Sequence, residues 1–333
     1  MCFKEKLKYT HNPAKSLCFP ADLYIIIIEN RPDKITYPHV GKQRRIRMIE
    51  AKTVDAFTDI PFGGNAAGVA LIEGEYPQDS EMLETARFMG YSETAFVKKL
   101  DDNTIQLRYF TPAAEVDLCG HATVGSFFGL CKWGLIETGK PYKAITKAGE
   151  INVDVSENGV VWMDMATPVD MGGMSDEDTE ALYAMYGLSL ADAGELRPAL
   201  VSTGLPDIMM PVASREILAN LKPDMDAISA ISEKLKVTGV HVFTLDADPE
   251  AKETPTAHAR NFAPLYDIPE EAATGTSNGA LTFYLWQRGL VKAGEANLVV
   301  QGEAMGRPSD IRTVLYEENG SVKVRVGGRA AIR

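Results

Sequence analysis

RYFTP, at residues 108–112, recurs 152 positions later as RNFAP, at residues 260–264, and this pair of segments sets the expected architecture. In each copy the segment ends a strand-like stretch and precedes an apolar, helix-like one. After that helix, GLI at 134–136 matches GLV at 289–291 with an offset of 155, so the second copy has three extra residues in its connection. Self-similarity of this kind predicts one structural unit present twice.

The order of strand-like and helix-like segments supports this duplication. From residue 48 the two kinds of segment alternate, and the same order begins again after about residue 166. We therefore predict an α/β protein of two similar domains, residues 48–166 and 167–333, in which the last strands return to the first domain. Residues 1–47 are expected to be an extension outside the fold. Any active site is expected where the two copies meet.

Composition and charge exclude several classes of function. The net charge of -12 would repel phosphate backbones and anionic lipids, so nucleic acid is not an expected partner. The apolar runs are far shorter than the roughly 20 residues of a membrane helix, and no signal peptide is recognisable, which predicts a cytoplasmic protein without a membrane partner. The four cysteines form no CxxC pair and have no histidine at zinc-site spacing, so neither a disulfide nor a metal is expected.

Aligning the copies places CGH at 119–121 opposite TGT at 274–276, at the start of each central helix. A helix N-terminus presents free N–H groups and the positive end of the helix dipole, and glycine lets a ligand approach closely. Two such ends facing each other predict a site for a small carboxylate. The alternative is that His121, Thr274 and Thr276 merely cap their helices. The same placement in both copies favours the binding site.

Glu93 is the candidate proton-transferring group. It lies between a helix-like and a strand-like segment, where a carboxylate can project from a domain edge into a cleft; the alternative is a solvated charge at a strand entrance. Aligning the following strand with its second copy puts Glu93 opposite Val240, so the second copy has no matching carboxylate. This asymmetry predicts one acid/base group. Glu270 and Glu271 stand just ahead of the second helix start, either as site acids or as simple partners of the helix dipole.

Seven segments in a fixed order carry a family resemblance: DAFT (55–58), GGNAAGV (63–69), SETAFV (92–97), RYFTP (108–112), EVDLCGHAT (115–123), ATG (273–275), and QG followed by MGRPS (301–309). Together they resemble the phenazine-biosynthesis PhzF-like proteins, from about residue 48 to the C-terminus. The resemblance implies the diaminopimelate-epimerase-like fold: two pseudo-symmetric domains, each a curved, mostly antiparallel sheet around a central helix, with the site in the cleft between them. It also implies a homodimer that needs no cofactor or metal.

The best-understood activity that the resemblance implies is isomerisation of trans-2,3-dihydro-3-hydroxyanthranilate, in which one glutamate moves a proton. By motif position that glutamate is Glu93, and the family's histidine is His121, which binds or orients the substrate. Two positions depart from the family pattern: Glu271 stands where an aspartate is usual, and Thr276 stands where a serine is usual. Either change re-aims a substrate contact, so the substrate itself is not carried over.

We therefore expect a cofactor-independent isomerase that moves a proton on a small carboxylated metabolite. Glu93 is the expected general acid and base, and closure of the two halves is expected to exclude water from the abstracted proton. The expected substrate-binding residues cluster at the two helix starts and are His121, Glu271, Thr276, Gly120, Gly275, Cys119 and Thr274.

Two other functions stay open from the sequence. Racemases and epimerases of the same fold use one cysteine at each helix start, and here Cys119 occupies the first position and Thr274 the second. A threonine hydroxyl is far too weak an acid to replace a thiolate near pH 7, which leaves a one-base epimerase, racemase or dehydratase using Cys119. The other alternative is a non-catalytic protein that binds a small molecule, with Cys119 as a buried apolar residue.

The segment before Met48 gives a first testable prediction. We expect Met48 to be the natural start, because the two consecutive arginine codons of the basic run just upstream, at Arg44 and Arg45, are consistent with a purine-rich ribosome-binding sequence read in frame. Mass spectrometry of the natively expressed protein is expected to show a chain that begins at Met48. An intact mass that includes residues 1–47 would overturn this prediction.

Overall fold

Strands dominate the part of the chain that this computed structural model describes, which is residues 48–246, 251 and 253–333. The predicted extension and its hypothetical boundary before Met48 fall on residues 1–47, outside the described residues. Residues Ile49–Arg333 form one compact unit, and the described strands join into a single 18-stranded sheet. No helix in the described part is long and apolar enough to cross a membrane. The cytoplasmic location and the homodimer stay predictions.

The first half contains eight strands and two helices in the described chain. In order they are β1 Lys52–Ala56, β2 Asn65–Leu71, α1 Asp79–Met89, β3 Thr94–Lys99, β4 Thr104–Phe110, β5 Glu115–Val116, α2 Gly120–Lys132, β6 Pro141–Thr146, β7 Gly149–Val155 and β8 Val161–Asp164.

The second half, apart from the undescribed residues 247–250 and 252, contains ten strands and four α-helices. In order they are β9 Val169–Gly173, α3 Asp176–Ala184, β10 Ala199–Ser202, β11 Pro206–Pro211, α4 Arg215–Ala219, α5 Met225–Leu235, β12 Gly239–Thr244, β13 Ala257–Ala263, β14 Ile268–Glu271, α6 Gly275–Gln287, β15 Ala296–Gln301, β16 Ser309–Glu318, β17 Ser321–Gly328 and β18 Ala330–Ile332.

The pairing of strands repeats between the halves. β2 pairs parallel to β3, β3 antiparallel to β4, and β4 parallel to β6, while the short β5 pairs antiparallel to β4. β11, β12, β13, β15 and β14 repeat this scheme in the same order. The predicted fold class, two pseudo-symmetric halves of mostly antiparallel sheet with a central helix in each, is confirmed.

The last strands link the two halves. β17 pairs antiparallel with β8, and β18 pairs antiparallel with β1, so that Ile332 lies opposite Val54. β18 thus extends the edge of the first half through β1 and β2. The sheet runs through both halves, and the boundary between residues 166 and 167 stays a prediction.

Each central helix is buried on nearly all of its faces because the sheet surrounds it. In α2 every residue from His121 to Leu130 is buried, and in α6 every residue from Ser277 to Leu285 is buried. A helix of this kind is stable only inside a core, which fixes it against β1, β2 and β3 in the first half and β10, β11, β16 and β17 in the second. The two helices also contact each other.

The register of the sheet corrects the alignment of the two copies by one residue. Thr94 lies opposite Phe110 on the neighbouring strand, and Val240 lies opposite Phe262 in the equivalent pair. Glu93 therefore corresponds to Gly239, and the expected counterpart Val240 was wrong. A Cβ atom at residue 239 would lie 2.1 Å from the carbonyl oxygen of Phe262, so no side chain fits there. The inference that the second copy lacks the carboxylate is unchanged.

A bidentate ion pair recurs in both copies of the motif that reveals the duplication. Arg108 Nε and Nη2 donate to the two carboxylate oxygens of Glu115 at 2.7 and 2.9 Å. Arg260 makes the same fork to Glu270 at 2.9 and 2.8 Å. Each pair ties the long strand to the short one that leads into the central helix, since β4 pairs with β5 and β13 with β14. Two parallel charge-assisted hydrogen bonds give this link a fixed direction.

We predict that Arg260→Gln lowers the free energy of unfolding by about 3 kcal/mol, because it leaves Glu270 charged and partly buried without its partner. The Arg260 and Glu270 side chains are only 11% and 15% exposed. Arg87→Gln is the matched control, because the Arg87–Glu84 pair lies on the surface and should contribute less than about 1 kcal/mol. Urea unfolding measures both, and equal losses in the two variants would contradict the prediction.

Candidate active site

The two helix starts lie free of side-chain caps. Cys119 precedes α2 and Thr274 precedes α6, and within the described residues neither side chain accepts a hydrogen bond from its helix. The Thr274 hydroxyl instead donates to Glu271 Oε2 at 2.6 Å. The capping alternative therefore does not describe Thr274. Gly120 and Gly275 are the first residues of the two helices, as the sequence predicted.

His121 is the centre of the site. Its ring is buried, with Nε2 3.4 Å from Glu93 Oε2 and 3.5 Å from Ser92 Oγ. On its other side Nδ1 lies 3.3 Å from Cys119 Sγ and 3.9 Å from Glu271 Oε1. One imidazole thus joins two carboxylates that are far apart in the sequence and come from different halves.

Glu93 is presented by a turn between α1 and β3. Gly90, in the left-handed conformation that glycine adopts readily, ends the helix, and the Glu93 carbonyl accepts a hydrogen bond from the Gly68 amide at 3.2 Å. The side chain is 17% exposed, and its buried Oε2 accepts no hydrogen bond from any described residue. A buried carboxylate oxygen with an unused lone pair is suited to accept a proton from a ligand.

Glu271 faces Glu93 across the histidine and is strongly held. Asn65 Nδ2 donates to Oε1 at 3.0 Å, and the Thr274 hydroxyl donates to Oε2. Burial, and to a smaller extent the negative charge of Glu93, raise the pKa of Glu271 to about 7, although these two hydrogen bonds oppose the shift. Near neutral pH this carboxyl group can therefore carry a proton and donate it in a hydrogen bond.

The remaining site groups favour their uncharged forms. Burial lowers the pKa of His121, and the positive charge of Arg307 lowers it too, against the opposing effect of Glu93. Burial and the charge of Glu93 raise the pKa of the Cys119 thiol well above its usual value. At neutral pH the site therefore offers a neutral imidazole and a thiol, and the thiolate that a cysteine base requires is disfavoured.

Gln301 holds the segment between β14 and α6. Its Nε2 donates to the Glu271 carbonyl at 2.7 Å and to the Thr274 hydroxyl at 3.1 Å, and its Oε1 accepts from the Thr274 amide at 3.2 Å. Asn278 Nδ2 donates to the same Oε1 at 2.8 Å. Sequence reasoning assigned no role to Asn65, Ser92 or Gln301, although all three lie in the repeated or quoted motifs.

Two residues near the second helix start are set apart from this cluster. Glu270 makes the bidentate ion pair with Arg260 and so stabilises the contact with strand β13. Thr276 belongs to the first turn of α6, but its hydroxyl makes no hydrogen bond to another described residue; its carbonyl accepts one from the Thr203 hydroxyl at 2.8 Å. A role of Thr276 in orienting substrate stays a prediction.

The cluster also contains a set of metal-ligating atom types. One ligand atom from each of Glu93, Cys119 and His121 lies within 4.8 Å of the others. Oxygen, sulfur and nitrogen are ligands that Zn²⁺ accepts. In the described part of the chain this is where a metal ion would find three such side chains together.

Known proteins are similar to this chain over most of its length. A family model described as phenazine biosynthesis-like protein matches residues 54–333. The uncharacterized isomerase YfhB of Bacillus subtilis is 33% identical over 289 residues, which cover 86% of this chain and 97% of that protein. A crystal structure of a PhzF-family phenazine biosynthesis protein from Bacillus anthracis superposes with a TM-score of 0.76 at 26% identity, covering 85% of this chain and 96% of the other.

A more distant structure shows the same fold. A probable proline racemase from Agrobacterium radiobacter K84 superposes with a TM-score of 0.56 at 14% identity, over 86% of this chain and 91% of the other. The epimerase-like architecture predicted from the sequence is therefore confirmed.

We predict that the stability of the protein falls with pH because of Glu271. Between pH 4.5 and about 7 the folded protein retains a proton that the unfolded chain has released, so the free energy of unfolding decreases as pH rises through this window. Glu271→Gln, which mimics the protonated group, should remove about 2 kcal/mol of that decrease. Urea unfolding between pH 5 and pH 8 measures the difference.

The control is Glu75→Gln, since Glu75 is exposed and should keep the wild-type pH dependence. Both variants lose one carboxylate, so a general effect of net charge appears in both. If Glu271→Gln followed the same pH curve as wild type, the buried carboxyl group would not be the one that takes up the proton.

Proposed function

The chain belongs to the phenazine biosynthesis-like family and is an isomerase, and we propose that Glu93 alone moves the proton, on a small carboxylated metabolite. The observation that carries this proposal is the buried Glu93 Oε2, which accepts no hydrogen bond from the described residues and lies 3.4 Å from His121. Glu93 lies close to Cys119 and His121 at the start of α2, whose free amides attract an anion, and this supports a proton acceptor next to a bound carboxylate.

The proposed reaction uses one proton and no cofactor. Glu93 takes a proton from a substrate carbon, and the electron pair of the broken C–H bond enters the neighbouring π system. The protonated Glu93 then returns the proton to another carbon of that system, and the double bond shifts. Neutral His121 orients the substrate, and the amides at Gly120 and Gly275 hold its carboxylate.

Glu271 is proposed to act beside Glu93 as a hydrogen-bond donor. With a pKa of about 7 it is able to carry a proton at neutral pH, so it can face a polar group of the substrate without repelling its charge. It is one methylene longer than the aspartate usual in the family, so its carboxyl group reaches further into the site than that aspartate would. A substrate therefore meets a different contact here. The substrate is therefore proposed as a class and not as one compound.

A one-base reaction at Cys119 is the second candidate. The contact of 3.3 Å between Cys119 Sγ and His121 Nδ1 favours it, because a histidine can accept the thiol proton. The raised pKa of the thiol opposes it, since burial and the charge of Glu93 both disfavour a thiolate. The two candidates differ in which side chain is indispensable.

We predict that Glu93→Gln lowers proton transfer by a factor of about 100 to 10,000, while Cys119→Ala stays within about tenfold of wild type. The measurement is NMR in D2O, which reports both the shifted double bond and any deuterium incorporation, for trans-2,3-dihydro-3-hydroxyanthranilate and for a panel of small carboxylated metabolites chosen by thermal stabilisation of the wild type. Gln keeps the size of Glu93, but its neutral amide cannot accept a proton from carbon near neutral pH, which isolates the chemistry.

Glu84→Gln is the control, because Glu84 is a glutamate on the helix that precedes Glu93 and makes only a surface pair with Arg87. Each variant is first checked for an unchanged thermal midpoint. Loss of incorporation in Cys119→Ala with retention in Glu93→Gln would replace the glutamate by the cysteine. Ligand binding in wild type with neither a shifted double bond nor deuterium incorporation would mean a non-catalytic binding protein.

A further inference from the structure

Arg307 lies on a short connection between β15 and β16 that no step of the proposed reaction uses. The turn is closed by a hydrogen bond from the Arg307 amide to the Gly302 carbonyl at 3.0 Å. The Ser309 hydroxyl donates to the Arg307 carbonyl at 3.1 Å. The neighbouring Pro308 carbonyl accepts a hydrogen bond from the Gly64 amide at 3.4 Å. The backbone that carries the guanidinium is therefore fixed at three points.

The same turn forms a wall of the candidate active site. A Cβ atom added to Gly302 would lie 2.7 Å from the Ala272 carbonyl oxygen, so the turn is packed against the residue that follows Glu271. Gln301, directly before the turn, binds the Glu271 carbonyl, and Gly64 precedes the Asn65 that binds the Glu271 carboxylate. The charge of Arg307 accordingly acts on His121, whose pKa it lowers.

The guanidinium of Arg307 is incompletely satisfied by the protein. Its Nη2 is buried and has no hydrogen-bond partner among the described residues. Arg108, Arg260 and Arg333, by contrast, each make a two-point contact with a carboxylate. A buried donor on a charged group without an acceptor is unfavourable, which indicates that an anion from outside the chain completes it.

We propose that Arg307 binds a second anionic group of the substrate, so that the substrate class is a dicarboxylate. One carboxylate lies at the two helix starts, and the other meets Arg307 across His121. This inference rests on the proposed function for the first carboxylate. Arginine suits such a role because its planar fork binds a carboxylate through two hydrogen bonds and never loses its charge.

Isothermal titration with malonate, succinate and glutarate, each compared with its half-amide, tests the proposal. The half-amide keeps one carboxylate and the length of the chain but lacks the second charge. In wild type at least one dicarboxylate should bind about 10 to 100 times more tightly than its half-amide. In Arg307→Gln this preference should disappear, and in Arg307→Lys it should be reduced, because the charge remains but the fork is lost.

Arg197→Gln is the matched control, since Arg197 is an exposed arginine that also lacks an ion pair in the described chain and lies ahead of β10. It should keep the wild-type preference, and all variants should keep the wild-type thermal midpoint. The proposal is overturned if wild type prefers no dicarboxylate over its half-amide, or if the preference survives in Arg307→Gln. A shifted double bond in wild type without such a preference would sink this inference alone, whereas a preference with neither a shifted double bond nor deuterium incorporation would sink the proposed isomerisation alone.

Discussion

The bidentate ion pair between an arginine and a glutamate is the constraint on which both halves of the site depend. It occurs as Arg108–Glu115 and as Arg260–Glu270, each time just ahead of the segment that leads into a central helix. Successive side chains of a strand point to opposite faces. With Glu270 committed to Arg260, the next carboxylate, Glu271, is turned to the other face, where it meets His121.

The two carboxylates of the site break the symmetry between the two halves. They stand at positions that do not correspond to each other in the repeat. The strand that follows Glu93 corresponds to the one that begins at Gly239, where the Phe262 carbonyl leaves no room for a side chain. Glu271 in turn corresponds to Val116, since Glu115 and Glu270 are matched by their arginines. Each half thus gives one carboxylate to the site from a position that is apolar or empty in the other.

Sequence reasoning predicted the main strands and both central helices because their apolar patterns are long enough to be periodic. It did not assign the two-residue strand Glu115–Val116, which is too short to show alternation, or Val169–Gly173, which is fully exposed and buries no face. It singled out Glu93, His121 and Glu271, but their approach across 178 positions of sequence is set by tertiary packing. Gln301 and Arg307 were not singled out because the groups they act on belong to segments remote in sequence.

The balance of charge in the site accounts for how an anion and a proton acceptor can lie side by side. Glu93 alone would repel a carboxylate, and a second ionised glutamate would double that repulsion. Burial reduces the negative charge of the site. A pKa of about 7 lets Glu271 take up a proton, and the thiol of Cys119 stays protonated. In the proposed site the attraction for an anion then comes from the two helix N-termini and from Arg307, fixed groups that do not exchange protons at neutral pH. Under this proposal anion binding and proton transfer use separate groups, so that one can change without disabling the other.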